Sequence, residues 1–532
     1  MEDVIRRRKK GVIKPVKINR GIMEIEGERV EDEPLSPSSA MFHKPNFNVH
    51  ILAIMGCKTH VDLQLCKEKA PLTLLKHPRF SSIVVGDPSK GEELKWVRTE
   101  VDLDKHIIVP EIDTNKIESP EKYVEDYMYN LSKTTLDKSR PLWDIHVLHL
   151  PLSEDVKALG IFRIHHSLGD GSSLMSLLLA LTRQTSNPEA LPTIPLQKIH
   201  ENDDNNDDND TRKINFMGLI WRWILAFWWM VQLSWNTLMD VFMFLATALF
   251  LKDDNTLLKG GGPNSPRRVV YKIVSLDDMK LVKNAISGTI NDVALGITQA
   301  GLTRYLCRKF ENDAKNCEDG ARSRKAKRPP KHIRLRSVLL INIRPSGGIE
   351  ALADLMEKDA EAKWGNSLGY VLLPFNIGWR DDPLDYIREA KRTVDRKKLS
   401  LEALYTFFIA DIVQKLFGKK MANAISDRIN AHTTIAFSNL VGPMEEISFY
   451  GHPLAFLAPS SYGQPCPVMV NFQSYTNKMT IVLAVDEQAV PDPHQLCEDI
   501  ADSLKLVKDA VIAKGLSKDH VATNGLESRK EQ

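Results

Sequence analysis

The chain has 532 residues, 71 of them Lys or Arg against 69 Asp or Glu, for a formal net charge of +2. A balance this even, with no basic-aromatic array, gives no pull toward nucleic acid and excludes that class of partner. Hydrophobic content of 43% and charged content of 26% describe an ordinary folded protein, and the length exceeds what a single core serves, so two domains are expected. The six cysteines (Cys57, Cys66, Cys307, Cys317, Cys466, Cys497) form no CxxC pair and no zinc spacing, which points to reduced thiols facing the cytosol and to no metal site.

Residues 1–32 are charged and without period, and read as a disordered basic tail. Arg6-Arg7-Arg8-Lys9-Lys10 has no apolar core behind it, so no signal peptide is expected. Order is expected to begin at Glu33-Pro34-Leu35-Ser36-Pro37, opening an N-terminal domain over 33–190. Within it, 49–55, 81–85 and 96–98 read as strands, and 62–70 and 120–132 as helices. Arg140-Pro141-Leu142-Trp143 is a proline turn that feeds a strand to about 148, the expected hairpin partner of the strand that follows.

That following strand, Ile161-Phe162-Arg163-Ile164, runs into His165-His166-Ser167-Leu168-Gly169-Asp170-Gly171, and a helix opens over 172–180. Strand parity puts His166 on the face of Phe162 and Ile164, and His165 on the face of Ile161 and Arg163. An imidazole on an apolar wall is held neutral, the form a general base needs. Asp170 can reach back across the turn, and Gly169 and Gly171 give that turn dihedral freedom. The plain alternative is a buried histidine pair with Asp170 as an N-cap. The full spacing at a strand-to-helix junction favours catalysis.

Residues 191–267 are expected to join two domains. The run 201–210 holds only Glu, Asp and Asn, and lacks the spacing of a calcium loop. From 214 to 251 the character changes: Trp221, Trp223, Trp228, Trp229 and Trp235 occur with only two charged residues, Arg222 and Asp240. The stretch is longer than the ~20 residues a bilayer crossing needs. A single crossing would separate the two domains, so an interfacial or re-entrant membrane-contacting helix is expected, with both domains on one face. A C-terminal domain follows over 268–515, with strands at 268–274, 335–343, 365–375, 466–475 and 479–486. Its helices are expected at 277–287, from 289 to 307 or beyond, at 383–428 and at 493–514. The second of these is expected to be capped by Asn291 or Asp292. Residues 516–532 form a tail.

His165 to Gly171, with Pro34-Leu35-Ser36-Pro37, Pro141-Leu142-Trp143, Asn291-Asp292-Val293, Asn342-Ile343-Arg344-Pro345 and Ser438-Asn439-Leu440-Val441-Gly442-Pro443, resembles the bifunctional wax ester synthase/diacylglycerol acyltransferases. The tryptophan-rich insert is most like that of the plant members. BAHD acyltransferases share the His-xxx-Asp part, but their DFGWG stretch has no match here. Condensation domains share the histidine motif, and no carrier domain adjoins it. The resemblance implies an α/β (α+β) chain of two chloramphenicol-acetyltransferase-like domains, each a mixed sheet flanked by helices, with a tunnel between them.

It further implies that His166 is the general base, that His165 and Gly171 support it, and that Asp170 holds the motif by pairing with an arginine, for which Arg344 is the candidate. Asn291, Ser438 and Asn439 would line the tunnel or steady the oxyanion, a helix cap or a turn being the alternative for each. No cofactor is implied, since acyl-coenzyme A is a substrate. The implied partners are long-chain acyl-coenzyme A, a fatty alcohol or diacylglycerol, and membrane lipid, at the endoplasmic reticulum membrane with the catalytic domains facing the cytosol, and with the plasma membrane as a second location. Two other readings stay open: a soluble acyl-coenzyme A-dependent transferase for specialised-metabolite alcohols or amines, and an inactive lipid-binding scaffold. The aromatic insert argues against the first, and the intact His166 and Asp170 against the second.

Overall fold

The computed structural model describes residues 22–25, 28–31, 33–87, 90, 92–195, 216–260, 262, 265–316, 333–343, 366 and 368–516. In chain order the strands are β1 (Ile22–Ile25), β2 (Glu28–Glu31), β3 (Glu33–Pro34), β4 (His50–Cys57), β5 (Ser82–Val85), β6 (Lys95–Arg98), β7 (Ile107–Ile108), β8 (Trp143–Leu148), β9 (Ala158–His165) and β10 (Thr182–Gln184). They continue as β11 (Arg267–Ser275), β12 (Ile333–Asn342), β13 (Leu368–Ile377), β14 (Ile435–Leu440), β15 (Ile447–Phe449), β16 (His452–Tyr462), β17 (Val468–Tyr475) and β18 (Lys478–Asp486). The helices are α1 (Pro37–Met41), α2 (Leu63–Lys69), α3 (Pro120–Ser132), α4 (Gly171–Leu181), α5 (Phe216–Leu249), α6 (Leu276–Ala285), α7 (Ile290–Asn316), α8 (Leu384–Lys398), α9 (Glu402–Ala431) and α10 (Pro493–Ala513).

Two mixed sheets organise the molecule. One has the order β10-β15-β16-β4-β9-β8-β7 and the other β11-β18-β17-β14-β12-β13. The histidine strand β9 is buried along its whole length between antiparallel neighbours, pairing Ile164 with Trp143 of β8 and with Ile51 of β4. The expected hairpin of β8 and β9 therefore forms. Its lower face packs in a core with Leu52, Ile54 and Met128, and its upper face in another with Trp143, Leu168 and Leu177. Parity explains the split, since Ile161 joins the first and Phe162 and Ile164 the second.

The division of the chain differs from the contiguous one expected. β15 and β16, from 447–462, lie in the sheet of the N-terminal half, where β16 pairs with β4 from Tyr462↔His50 to Leu454↔Cys57. The C-terminal half thus supplies the strand beside β4, and residues 268–515 do not close on themselves. Two further departures are smaller. β1 and β2 pair as a hairpin within the stretch expected to be a tail, and residues 185–195 dock on the chain near β15, through Thr185 N–H to the Glu446 carbonyl (2.8 Å) and Met444 N–H to the Thr193 carbonyl (3.1 Å). The acidic run 201–210 lies outside the described residues.

The aromatic insert is one helix, α5, of 34 residues. Among the described residues no helix is long and apolar enough to cross a membrane, so the span length read from the sequence does not carry a crossing. The helix is tied down at its second half. Asn236 Nδ2 donates to the Leu399 carbonyl (3.1 Å), Leu401 N–H donates to Thr237 Oγ1 (3.0 Å), and Asp240 Oδ1 accepts from Arg396 (2.7 Å) and Lys397 (3.0 Å). α9 packs beside it and also covers the open edge of β13: Thr406 Oγ1 accepts from Tyr370 N–H (3.0 Å) and Glu402 from Leu372 N–H (3.1 Å). Side chains here satisfy main-chain groups that an exposed edge would leave open to a second chain.

Candidate active site

The turn after β9 is built by short polar contacts. His165 ends the strand, and its Nδ1 accepts from Ser167 N–H (3.3 Å) and lies 2.7 Å from Ser167 Oγ. With that nitrogen accepting, Nε2 carries the proton and donates to Asn48 Oδ1 (2.9 Å). His43 and His50 lie against the same ring, at 4.4 and 5.1 Å between centroids. Burial pushes His165 well below the usual histidine range, and lowers His43 to about 4 and His50 to about 3. The cluster is neutral. Asp170 is buried and caps α4, accepting from Ser173 N–H (2.8 Å) and Ser172 Oγ (2.8 Å). The N-cap named as the plain alternative is therefore present. Gly169 has φ 179°, extended backbone open to any residue, so the dihedral freedom expected of it is not what the turn uses.

His166 is placed by other means. Its N–H donates to the Val49 carbonyl (2.9 Å), and its ring stacks on Phe42 with centroids 4.1 Å apart. Phe42 is delivered by α1, which Ser36 caps through Ser39 N–H (3.2 Å); the Pro34-Leu35-Ser36-Pro37 stretch is thus the mount for the residue behind the ring. Nδ1 is buried, and the residue lines a cavity of about 670 Å³. Burial lowers the pKa of His166 below the ordinary value, against the opposing pull of its own carbonyl, Asp170 and Asn366. At neutral pH the ring is uncharged and available as a base.

The cavity lies between the two sheets. Besides His166 it is lined by Asp170, Gly171, Asn291, Ser438 and Asn439, with Phe42, Ile51, Leu340 and Phe437 among its apolar walls. Asn439 Nδ2 donates to Asn291 Oδ1, so two candidates named separately from the sequence form one pair. Ser438 sits in register with Asn471 on β17, which also lines the cavity and donates to Ser460 Oγ (3.3 Å). His165 lies behind the turn and does not line the cavity. Asp292 lies in the first turn of α7 and reaches back to the residue before the helix. Its carboxylate accepts from Thr289 N–H (2.7 Å) while Thr289 Oγ1 accepts from Asp292 N–H (3.3 Å). Thr289, and neither Asn291 nor Asp292, is therefore the cap of α7, and the Thr-x-x-Asp spacing of a reciprocal box was the signal for it. Arg344, the expected partner of Asp170, lies outside the described residues.

Sequence reasoning missed Asn366. Its side-chain nitrogen donates to the His166 carbonyl (2.9 Å), the Ser167 carbonyl (3.4 Å) and Ser39 Oγ (3.0 Å). One buried amide from the C-terminal half clasps the motif and α1 together. Pro141-Leu142-Trp143 has a similar role from below: the Leu142 carbonyl accepts from His165 N–H (3.0 Å), and Trp143 Nε1 donates to the Phe80 carbonyl (2.8 Å).

Two mixed sheets with a neutral histidine turned into a cavity at their junction define a chloramphenicol-acetyltransferase-like fold. The solved wax ester synthase/diacylglycerol acyltransferase from Marinobacter aquaeolei VT8 shares it, with a TM-score of 0.53 at 14% identity over 90% of this chain and 99% of that one. So does the first condensation domain of the calcium-dependent antibiotic synthetase, with a TM-score of 0.51 at 12% identity over 90% and 95%. The family models for the wax ester synthase/diacylglycerol acyltransferase catalytic domain and for the WS/DGAT C-terminal domain match residues 38–294 and 364–508. This chain belongs to the wax ester synthase/diacylglycerol acyltransferase family. It is 45% identical to wax ester synthase/diacylglycerol acyltransferase 11 of Arabidopsis thaliana over 92% of this chain and 97% of that protein. To number 6 of the same organism it is likewise 45% identical, over 91% and 95%.

Proposed function

We propose that this protein moves a long-chain fatty acyl group from acyl-coenzyme A to the hydroxyl of a fatty alcohol, giving a wax ester, or of diacylglycerol, giving triacylglycerol. The observation that carries the reading is His166: a neutral ring, backed by Phe42, that lines a largely apolar cavity. With Nδ1 buried, the proton of the neutral ring sits there in this scheme, and the Nε2 lone pair is kept for the acceptor. Nε2 removes the hydroxyl proton as the oxygen attacks the thioester carbonyl. The tetrahedral oxyanion forms near Ser438, Asn439, Asn291 and Asn471, whose amide and hydroxyl hydrogens are the available donors. The carbon–sulfur bond then breaks, and the thiolate of coenzyme A leaves with the proton returned from Nε2. No covalent enzyme intermediate and no cofactor enters this scheme. His165 and Asp170 act as positioning residues through the turn.

The apolar substrates explain the exposed side of α5. Trp221, Trp223, Phe227, Trp228 and Trp235 are exposed, and a helix with such a face lies in the interface of a bilayer. The protein is accordingly read as resting on the cytosolic face of the endoplasmic reticulum membrane, with both halves on one side. The test is ester formation by purified, detergent-held protein given palmitoyl-coenzyme A with hexadecanol or diacylglycerol. Wild type should make ester, and His166→Ala, with unchanged circular dichroism, should fall by at least about a hundredfold. Near-normal turnover by that variant, or no ester from either acceptor with folded protein, would refute the proposal.

A further inference from the structure

A smaller apolar cavity adjoins the one that holds His166, and a second lies beyond it, sharing Met55. The first, of about 70 Å³, lies between α4 and the sheet face formed by β4, β9 and β16, and among the described residues Gln473 contributes its only polar side chain. It shares Ile51, Gly171, Leu440 and Pro459 with the His166 cavity, so the two meet across those walls. The second, of about 30 Å³, begins on the other side of Met55 and reaches Cys66 and Trp143. Register shows how they line up. On the face that carries His166, the paired positions are Ile51↔Ile164, then Ala53↔Phe162, then Met55↔Gly160. Each pair lies two residues further from the catalytic nitrogen, so Gly160 is about 20 Å along the strand from His166.

That row is wide where it needs to be. Ala53 presents one methyl group and Gly160 none, and a Cβ at Gly160 would meet Met55 Cε at 3.5 Å. An apolar void stays dry and gains contacts when hydrocarbon fills it. We infer that the row from Ile51 to Met55, roofed by α4, is a groove for the distal methylenes of an unbranched aliphatic chain whose reacting end lies at His166, and that Met55 is the stop that sets its length. The inference rests on the acyl transfer proposed above. It concerns hydrocarbon alone, which either the acyl donor or the acceptor alcohol can supply.

Two substrate series separate those sources: octanoyl- to icosanoyl-coenzyme A with hexadecanol fixed, and octanol to icosanol with palmitoyl-coenzyme A fixed. Ala53→Leu fills the groove and should lower the ratio of hexadecyl to octyl turnover about tenfold in one series while leaving the other unchanged. The affected series names the chain that occupies the groove. Met55→Ala joins the two small cavities and should move the optimum of the same series to longer chains, a gain that a merely damaged fold does not produce. Wild-type profiles in both series from both folded variants would overturn the groove, as would a loss by Ala53→Leu that is equal at every length. Should Ala53→Leu fail to fold, Met55→Ala decides by itself. A wild type that forms no ester at all would instead bring down the acyl-transfer reading, and the groove with it.

Discussion

The turn from His165 to Gly171 and the helix α5 break the rule of polar outside and apolar inside in opposite directions. At the turn, His165, Ser167 and Asp170 are all buried, and each has a short-range partner. On α5 the arrangement is inverted within a single helix: Asp240 is 1% exposed and Trp223 70%. The side chains that face the protein include Asn236, Thr237, Asp240, Phe244, Thr247 and Ala248, a stripe that recurs at spacings of three and four. The tryptophans point away, and Phe408, Ile412, Leu416 and Phe417 of α9 add to the same exposed surface. Buried polar groups are costly unless partnered inside the molecule, and apolar surface of this extent needs a partner outside it. The turn is finished by the chain itself, whereas the helix is finished by something else.

The largest effect expected on this contrast comes from Asp240→Ala. It removes the carboxylate that Arg396 and Lys397 share, leaves Lys397 buried beside Glu402 alone, and should cost about 3 kcal/mol, read as a lowered thermal midpoint. An unchanged midpoint would mean that α5 is held by its apolar contacts and not by its polar stripe. Next in size is the acid response of the turn. His43 is half-buried with a pKa near 4, below that of an unfolded chain, so its contribution is complete above the unfolded value and is lost as pH falls from about 6.5 toward 4. The loss is on the order of 2 kcal/mol at pH 5. His43→Gln should flatten the fall of thermal midpoint over that window, and an unaltered slope would remove this ring from the account. The smallest is on the outer face. Replacing Trp221, Trp223, Trp228 and Trp229 by Ser should reduce co-sedimentation with phospholipid vesicles about tenfold and leave the thermal midpoint where it was. Full retention on vesicles would break the assignment of that face to lipid.

Much of the fold is legible in local pattern because local pattern is what produces it. β9 is a short apolar run that ends at the histidines, α3 begins at Pro120 behind its cap Ser119, and Pro141 sets up β8. The histidine turn shows as a motif because its own polar contacts, His165 with Ser167 and Asp170 with Ser172 and Ser173, are between residues two or three apart. β16 escaped because it carries Pro453 and Pro459, has no period that marks it off, and owes its place to pairing with β4 some four hundred residues away. Asn366 escaped for the same reason: nothing in its neighbours indicates that its amide will meet the His166 carbonyl. The tryptophan run was readable as a helix, but its inside-out orientation depends on partners in α8 and α9 that composition does not reveal.

The place of β16 has a consequence for how the molecule is made. β4 and β9 leave the ribosome well before residues 452–462, yet β16 is the strand that covers the free edge of β4. Until those residues emerge, the histidine strand sits in a sheet with an open side, and Asn366 is the earlier of the two late arrivals that complete its surroundings. The nascent N-terminal half must therefore be kept from pairing with other chains for most of the time of synthesis. The competent site comes into being late and all at once, when the chain is nearly complete.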